Sequence, residues 1–129
     1  MRIEAGLKEL GLELLPTPRP AANYVGAIHT GNPLLVSGHG PTQNGQFTYI
    51  GKIGKALSVK DGYTAARLVA LNCLASAKSV LGDLDRIARV VKILGMVNCS
   101  ADFGDQPTVG MQALPFGIAV EIKMIFEVA

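Results

Sequence analysis

One long helix is bounded by clear signals at both ends, and it narrows the choice of folds more than any other feature. Ser58 and Asp61 have the spacing of a capping box, in which each side chain accepts a hydrogen bond from a backbone N–H that the first turn leaves free. Gly82 is the kind of residue at which a helix commonly ends. Small and apolar residues recur between them at helical spacing: Ala66, Val69, Ala70, Cys73, Ala77, Val80 and Leu81. The pattern predicts an amphipathic helix of about six turns, ~35 Å long, that packs on a sheet through this stripe.

Strand-like segments stand on both sides of this helix. Before it, a short strand at 24–28 leads through a turn at 29–33 to an apolar strand at 34–38, which is typical of a hairpin. After it, the apolar runs at 87–97 and 118–128 predict two more strands, the first of them mostly buried. This order indicates an α+β fold, a single sheet with its helix on one face.

The first part of the chain is predicted to form an N-terminal arm of a single domain. Residues 3–10 are compatible with a short helix, and the proline-rich PTPRP at 16–20 ends it, because proline disfavours helical geometry at the residue before it. We therefore take 1–21 as an N-terminal arm. The length allows one two-layer core, so we expect one domain over 1–129.

The composition predicts contacts between subunits. Apolar residues make up 49% of the chain and the mean hydropathy is +0.33, yet there is no Trp and only three Tyr and four Phe. Such a chain has more aliphatic surface than its own interior can hide.

No apolar run reaches the ~20 residues of a membrane-spanning helix, and the N-terminus is charged where a signal peptide is apolar, so we expect a cytoplasmic protein without membrane contact. The net charge is +2 and the basic residues are scattered, so we expect no nucleic-acid partner.

Several other motifs favour structural roles. Cys73 and Cys99 match no zinc or redox spacing and are expected to be free thiols. His29 and His39 each lack a second ligand at metal-binding spacing, which predicts turn or loop histidines and no metal site. The glycines and lysines at 51–55 depart from the spacing of a phosphate-binding loop, so we predict no nucleotide and no other cofactor.

A carboxylate interrupts the apolar pattern of the last strand. Alternation places one set of side chains on the face toward the helix: Ile118, Val120, Ile122, Met124, Phe126 and Val128. Glu121 lies on the opposite face. In a monomer Glu121 would be an ordinary solubilising group. At a subunit contact it would be partly desolvated, would need a partner or a raised pKa, and would become a candidate general base.

Four stretches of the sequence carry a family resemblance. They are ANYVGAIHTGN (22–32), LLVSGHGP (34–41), GYTAARLVALNCLASAKSVLGDLDRIARVVKILGMVN (62–98) and LPFGIAVEIKMIFEV (114–128). Together they resemble the RidA/YjgF family of small trimeric imine and enamine deaminases, often labelled L-PSP endoribonucleases. The resemblance implies a chorismate-mutase-like α+β fold, with three subunits packed sheet to sheet as a barrel and clefts at their interfaces.

The resemblance also implies a reaction and its residues. Glu121 matches the family's water-activating glutamate, Tyr24 its pocket tyrosine in the first strand, and Ser37 and Gly38 the pair at the end of the next strand. The implied reaction is hydrolysis of a small 2-imino acid, bound at the interface of a homotrimer, to a 2-oxo acid and ammonia. The alternative is a non-catalytic trimeric protein of this fold that binds a small metabolite or a partner. RNA cleavage comes third, since the scattered charges give it little support.

Three departures from the family pattern stand out. The family usually has an Arg before the Leu-Pro of its last strand, where it binds the substrate carboxylate, but no Arg follows Arg89 here. The family's loop asparagine falls on Ala101, and its frequent cysteine near the arginine is missing. Family members also carry a further segment with a second helix where Val109 here runs into Gly110. Without that helix, apolar strand surface would stay exposed to water, at a free-energy cost of ~25 cal/mol per Å². We therefore expect that a segment bearing the Arg belongs between these two residues.

Overall fold

A five-stranded mixed sheet and one long helix form the body of the protein, and the α+β fold class is confirmed. The computed structural model describes residues 2–104 and 108–129. The helices are α1 (Arg2–Glu9) and α2 (Val59–Leu81), with 3-10 turns at Leu84–Arg86 and Pro115–Gly117. The strands are β1 (Ala27–His29), β2 (Pro33–His39), β3 (Thr42–Gln43), β4 (Gln46–Phe47), β5 (Ile87–Asn98), β6 (Val109–Met111) and β7 (Val120–Val128). The main sheet has the order β1-β2-β7-β5-β6, and β3 pairs with β4 separately.

Helix α2 begins and ends where the sequence predicts. Ser58 Oγ accepts a hydrogen bond from the Asp61 N–H at 3.1 Å, and the Asp61 carboxylate accepts one from the Ser58 N–H at 2.8 Å. Gly82, at φ 82°, ends the helix. The buried residues of α2 are Ala65, Val69, Leu71, Asn72, Cys73, Ala75, Ser76, Ala77 and Leu81. The predicted stripe faces the core, except for Val80, which is exposed.

Strand β7 lies at the centre of the sheet, antiparallel to both β2 and β5. Its buried side chains are Val120, Ile122, Met124, Phe126 and Val128, which share the core with α2. Glu121 is half-buried and Lys123 exposed on the other side. The predicted alternation is therefore confirmed, and Glu121 lies on the helix-free face.

The first strand begins later than the sequence predicts. Strand β1 starts at Ala27, and Tyr24 lies before it in an irregular segment. The Tyr24 N–H donates to the carbonyl of Ala22 at 2.9 Å, which bends the chain instead of extending it. The prediction that Tyr24 belongs to a strand is therefore wrong.

Strand β5 has the predicted location but not the predicted burial. Val90 pairs with Phe126 and Ile93 with Met124, and paired residues point to the same side of the sheet. Phe126 and Met124 are buried, because α2 packs on β1, β2 and β7. Val90 and Ile93 are 52% and 57% exposed. An apolar run indicates a strand, whereas its burial depends on what packs over it.

This exposed half of the sheet is the bare surface expected if a covering segment is missing between Val109 and Gly110. Strand β6 runs parallel to β5, with Val109 opposite Met96. Parallel neighbours are normally joined by a crossover of a dozen or more residues, usually a helix. In the sequence ten residues, 99–108, separate the two strands, whereas Val109 and Gly110 both belong to β6. The segment itself stays a prediction.

Protein purified from its native source is expected to have an intact mass above the 13.5 kDa of this chain. The reason is that a second helix laid over Val90 and Ile93 would remove both side chains from water. Electrospray mass spectrometry measures this directly. A mass of 13.5 kDa would rule the extra segment out.

Candidate active site

The four residues proposed from the sequence line one cavity of about 580 Å³: Tyr24, Ser37, Gly38 and Glu121. They come from the segment before β1, from the end of β2 and from β7. The cavity is of a size that suits a small-molecule ligand. The structure therefore brings all four together, as the resemblance implies, although Tyr24 reaches the site from outside a strand.

Glu121 lies across strand β2 at Gly38. A Cβ built on Gly38 would stand 2.2 Å from Glu121 Oε2 and 3.0 Å from its carboxyl carbon. Gly38 also lies where the register of β2 with β7 shifts, between Val36 and His39. The absence of a side chain at this position is what leaves room for the carboxylate.

In the cavity, the hydroxyl group of Ser37 can accept a hydrogen bond and that of Tyr24 can donate one. Ser37 Oγ donates its proton to the carbonyl of Val25 at 2.6 Å, so its oxygen remains free to accept. Tyr24 Oη accepts from the Ala21 N–H at 3.3 Å, so its proton remains free to donate. A ligand that carries both an N–H and an oxygen acceptor can use both groups.

His39 is one residue of this site that sequence reasoning missed. It lies in β2, is only 7% exposed and lines the cavity, so the prediction of a turn or loop histidine is wrong for it. Its Nδ1 is 2.6 Å from the Ser37 carbonyl and its Nε2 is 2.7 Å from Ser76 Oγ. Because a carbonyl can only accept, we assign the proton to Nδ1, and Nε2 then accepts from Ser76. His29 is exposed and is the last residue of β1, so it lies beside the turn but not in it.

A signal for this contact was present in the sequence. Asn72 and Ser76 are polar, are four residues apart and lie on the apolar side of α2, where both are buried. Asn72 Nδ2 donates to the carbonyls of Gly40 and Thr42, and Ser76 contacts His39. Buried polar groups need partners, so this pair indicates that α2 holds the segment around the end of β2.

The stability of the fold is expected to depend on pH through His39. Burial lowers the pKa of His39 below 6.5, while its hydrogen bond to Ser37 and the charge of Glu121 act in the opposite direction. As pH falls below about 6.5, the unfolded chain binds a proton that the folded chain does not, so the free energy of unfolding declines until folded His39 is protonated too. Urea denaturation at pH 7.5 and 5.5 should show this decline, and His39→Gln should reduce it. His29→Gln, which removes an exposed ring, should leave it unchanged. An equal decline in wild type and His39→Gln would contradict the assignment.

The remaining candidate groups have structural roles. Cys73 and Cys99 are buried free thiols, as predicted, and burial raises the pKa of Cys73 to about 12. Lys52, in the glycine-lysine stretch, donates to Asn98 Oδ1 at 2.8 Å and to the carbonyl of Gln112. Within residues 2–104 and 108–129, no three side chains of the metal-binding types converge. The helices of this same part of the chain are too short or too polar to cross a membrane.

Comparison with known proteins gives one family and one fold. The family model described as "YjgF/chorismate_mutase-like, putative endoribonuclease" matches residues 4–116. The Trypanosoma cruzi "Protein TCP17" is 35% identical over 150 residues, covering 98% of this chain and 94% of that protein. This chain has only 129 residues, so TCP17 carries residues inside the matched region that have no counterpart here.

Solved structures agree with this assignment. Atu1372 from Agrobacterium tumefaciens, whose function is unknown, matches with a TM-score of 0.90 and 36% identity, over 98% of this chain and 92% of that one. The fold is also that of E. coli TdcF with bound serine, with a TM-score of 0.61 and 20% identity over 88% of this chain and 94% of TdcF.

Proposed function

This chain belongs to the YjgF/chorismate-mutase-like family, and on that premise we propose that it hydrolyses reactive 2-imino acids and their enamine tautomers to 2-oxo acids and ammonia. One observation carries the proposal. The half-buried carboxylate of Glu121 lies over Gly38, inside a cavity that also presents Ser37 and Tyr24. A carboxylate held in a partly enclosed site is suited to activating water for attack on an electrophilic carbon.

In the proposed reaction, Glu121 accepts a proton from water while the water oxygen bonds to the imine carbon. The π electrons of the C=N bond move to nitrogen, which takes up this proton from Glu121, and a carbinolamine forms. The carbinol oxygen then passes its proton to Glu121, which gives it to the nitrogen, so that the C–N bond breaks, ammonia leaves and the oxygen becomes the new carbonyl. The free lone pairs of Ser37 Oγ can accept from the substrate N–H, and the free proton of Tyr24 can bind a substrate oxygen.

Turnover by the wild-type protein is the direct test. The 2-aminoacrylate is generated freshly in the assay, and release of pyruvate and ammonia is followed with and without protein. We expect release well above the spontaneous rate. Release at the spontaneous rate would refute the deaminase proposal.

The proposal includes a homotrimer packed through the helix-free face. Ile28 and Leu35 pair across β1 and β2 on that face, and both are exposed in the single chain. Neighbouring Val25 is exposed as well. Apolar side chains clustered in this way favour burial in a contact between copies.

Light scattering after size exclusion is expected to give three times the mass of the chain. Leu35→Asp should shift this mass toward the monomer, because it would bury a charge in the contact. Val59→Asp is the control, since Val59 is exposed at the start of α2 on the other side of the sheet. A monomeric wild type at micromolar concentration would contradict the trimer.

A non-catalytic trimeric protein of this fold that binds a small metabolite or a partner is the second candidate. It is favoured by the lack of any Arg after Arg89, and serine in TdcF is a bound molecule of the right class. Tight binding of a 2-oxo acid without turnover would select it. The endoribonuclease label of the family predicts salt-dependent RNA affinity, which filter binding at two salt concentrations tests.

A further inference from the structure

The proline-rich segment before β1 forms one wall of the cavity. Five consecutive residues, 18–22, line it together with Tyr24. Thr17 Oγ1 attaches the wall to α2 by donating to the Ala75 carbonyl at 3.4 Å, and within the wall the Ala21 N–H donates to Tyr24 Oη at 3.3 Å. Prolines in the segment fix its backbone further, so less conformational freedom is lost when a ligand binds.

Arg19 is the cation on this wall, and its guanidinium is available. The other four arginines have partners: Arg2 pairs with Asp85, Arg67 lies over the Tyr63 ring, Arg86 donates to the Leu81 carbonyl, and Arg89 pairs with Glu127. Among the described residues Arg19 has neither a hydrogen bond nor an ion pair. Because Arg19 lines the cavity and all five of its donors are unused, we consider it the residue available to receive an anion there.

The other charges of the lining favour the same ligand class. Glu121 contributes one negative charge, and Arg19 and Lys123 contribute two positive ones. A Cβ built on Gly38 would lie 2.2 Å from Glu121 Oε2 and 3.3 Å from Lys123 Cε. The lysine side chain therefore lies beside the carboxylate. The lining therefore carries a net charge of +1, and neither Arg19 nor Lys123 has an ion pair among the described residues, so the cavity suits a ligand with one negative charge.

We propose that Arg19 binds the carboxylate of the substrate and so makes the site selective for 2-imino acids over neutral imines. The planar guanidinium can hold both carboxylate oxygens, which fixes the direction in which the imine carbon points. Arg19 is then a specificity-determining residue supplied by the N-terminal segment. The inference rests on the proposed function for the identity of the ligand, but not for the presence of an anion site.

The test uses pyruvate as the carboxylate ligand and pyruvamide as its neutral counterpart. Arg19→Met should weaken pyruvate binding about tenfold in calorimetry, and raise KM for the imine by a similar factor with kcat little changed. Arg19→Lys should lie between the two, because lysine keeps the charge and loses the fork. Pyruvamide binding should not respond to either change. Arg67→Met removes one positive charge from the exposed side of α2, outside the cavity, and should leave every constant at its wild-type value.

Failure of this inference is separate from failure of the proposed function. If the wild type hydrolyses the imine and Arg19→Met keeps its KM and its pyruvate affinity, the assignment of Arg19 is wrong and the deaminase stands. If the wild type binds pyruvate without turnover and only the Arg19 variants lose that binding, the anion site stands and the deaminase does not. A wild type that does not bind pyruvate overturns the assignment of Arg19.

Discussion

Replacement of Glu121 by glutamine is expected to lower the rate of imine hydrolysis by about 10²- to 10⁴-fold, the usual contribution of a positioned general base. Glutamine has nearly the same size and can occupy the space above Gly38, so the cavity should keep its shape. What it cannot do is accept a proton from water. The expected loss is therefore in kcat, with pyruvate affinity preserved or slightly increased as a negative charge is removed.

Glu127 provides a matched control for this substitution. It lies on the same strand and the same face, pairs with Arg89 at 3.4 Å and does not line the cavity. Glu127→Gln should keep the wild-type rate, since an exposed ion pair contributes only about 0–1 kcal/mol to stability. The measurement is pyruvate release from freshly generated 2-aminoacrylate. An active Glu121→Gln variant would remove Glu121 from the role of base.

Local patterns predicted the framework of the site. The capping box at Ser58 fixed the start of α2, and the period-two alternation of β7 placed Glu121 on the helix-free face, because both signals depend on residues close in the chain. The roles of Ser37 and Gly38 came from a resemblance. The structure explains why position 38 is a glycine: the Glu121 carboxylate lies so close to its backbone that a side chain would collide with it.

The features that the sequence did not reveal depend on contacts between distant segments. His39 is buried because Ser76 of α2 lies 2.7 Å from its ring, and nothing beside His39 in the sequence indicates that partner. Arg19 lines the cavity, although the sequence indicated only that it belongs to an N-terminal arm, 1–21. Val90 and Ile93 are exposed because α2 covers only the other half of the sheet.

A methyl group at position 38 is expected to lower kcat/KM by about 100-fold, the loss that a displacement of about 1 Å in a reacting group can cause. In Gly38→Ala the new Cβ would meet Glu121 Oε2 at 2.2 Å, far inside contact distance, so the carboxylate must move. The group that it meets is the end of a flexible side chain, and Gly38 does not have a positive φ, so alanine can adopt its backbone geometry. We therefore expect a folded protein with a misplaced base.

Two comparisons show whether the loss acts through Glu121. Gly6→Ala adds the same methyl group in helix α1, where nothing lies within 4 Å, and should keep the activity and keep or slightly raise the melting temperature. In the double variant Gly38→Ala/Glu121→Gln, the glycine substitution should add little to the loss caused by Glu121→Gln alone, because residues that act through one group are not additive. Full additivity, or a Gly38→Ala protein with wild-type kcat/KM, would show that the close approach of Glu121 to β2 is not required for the reaction.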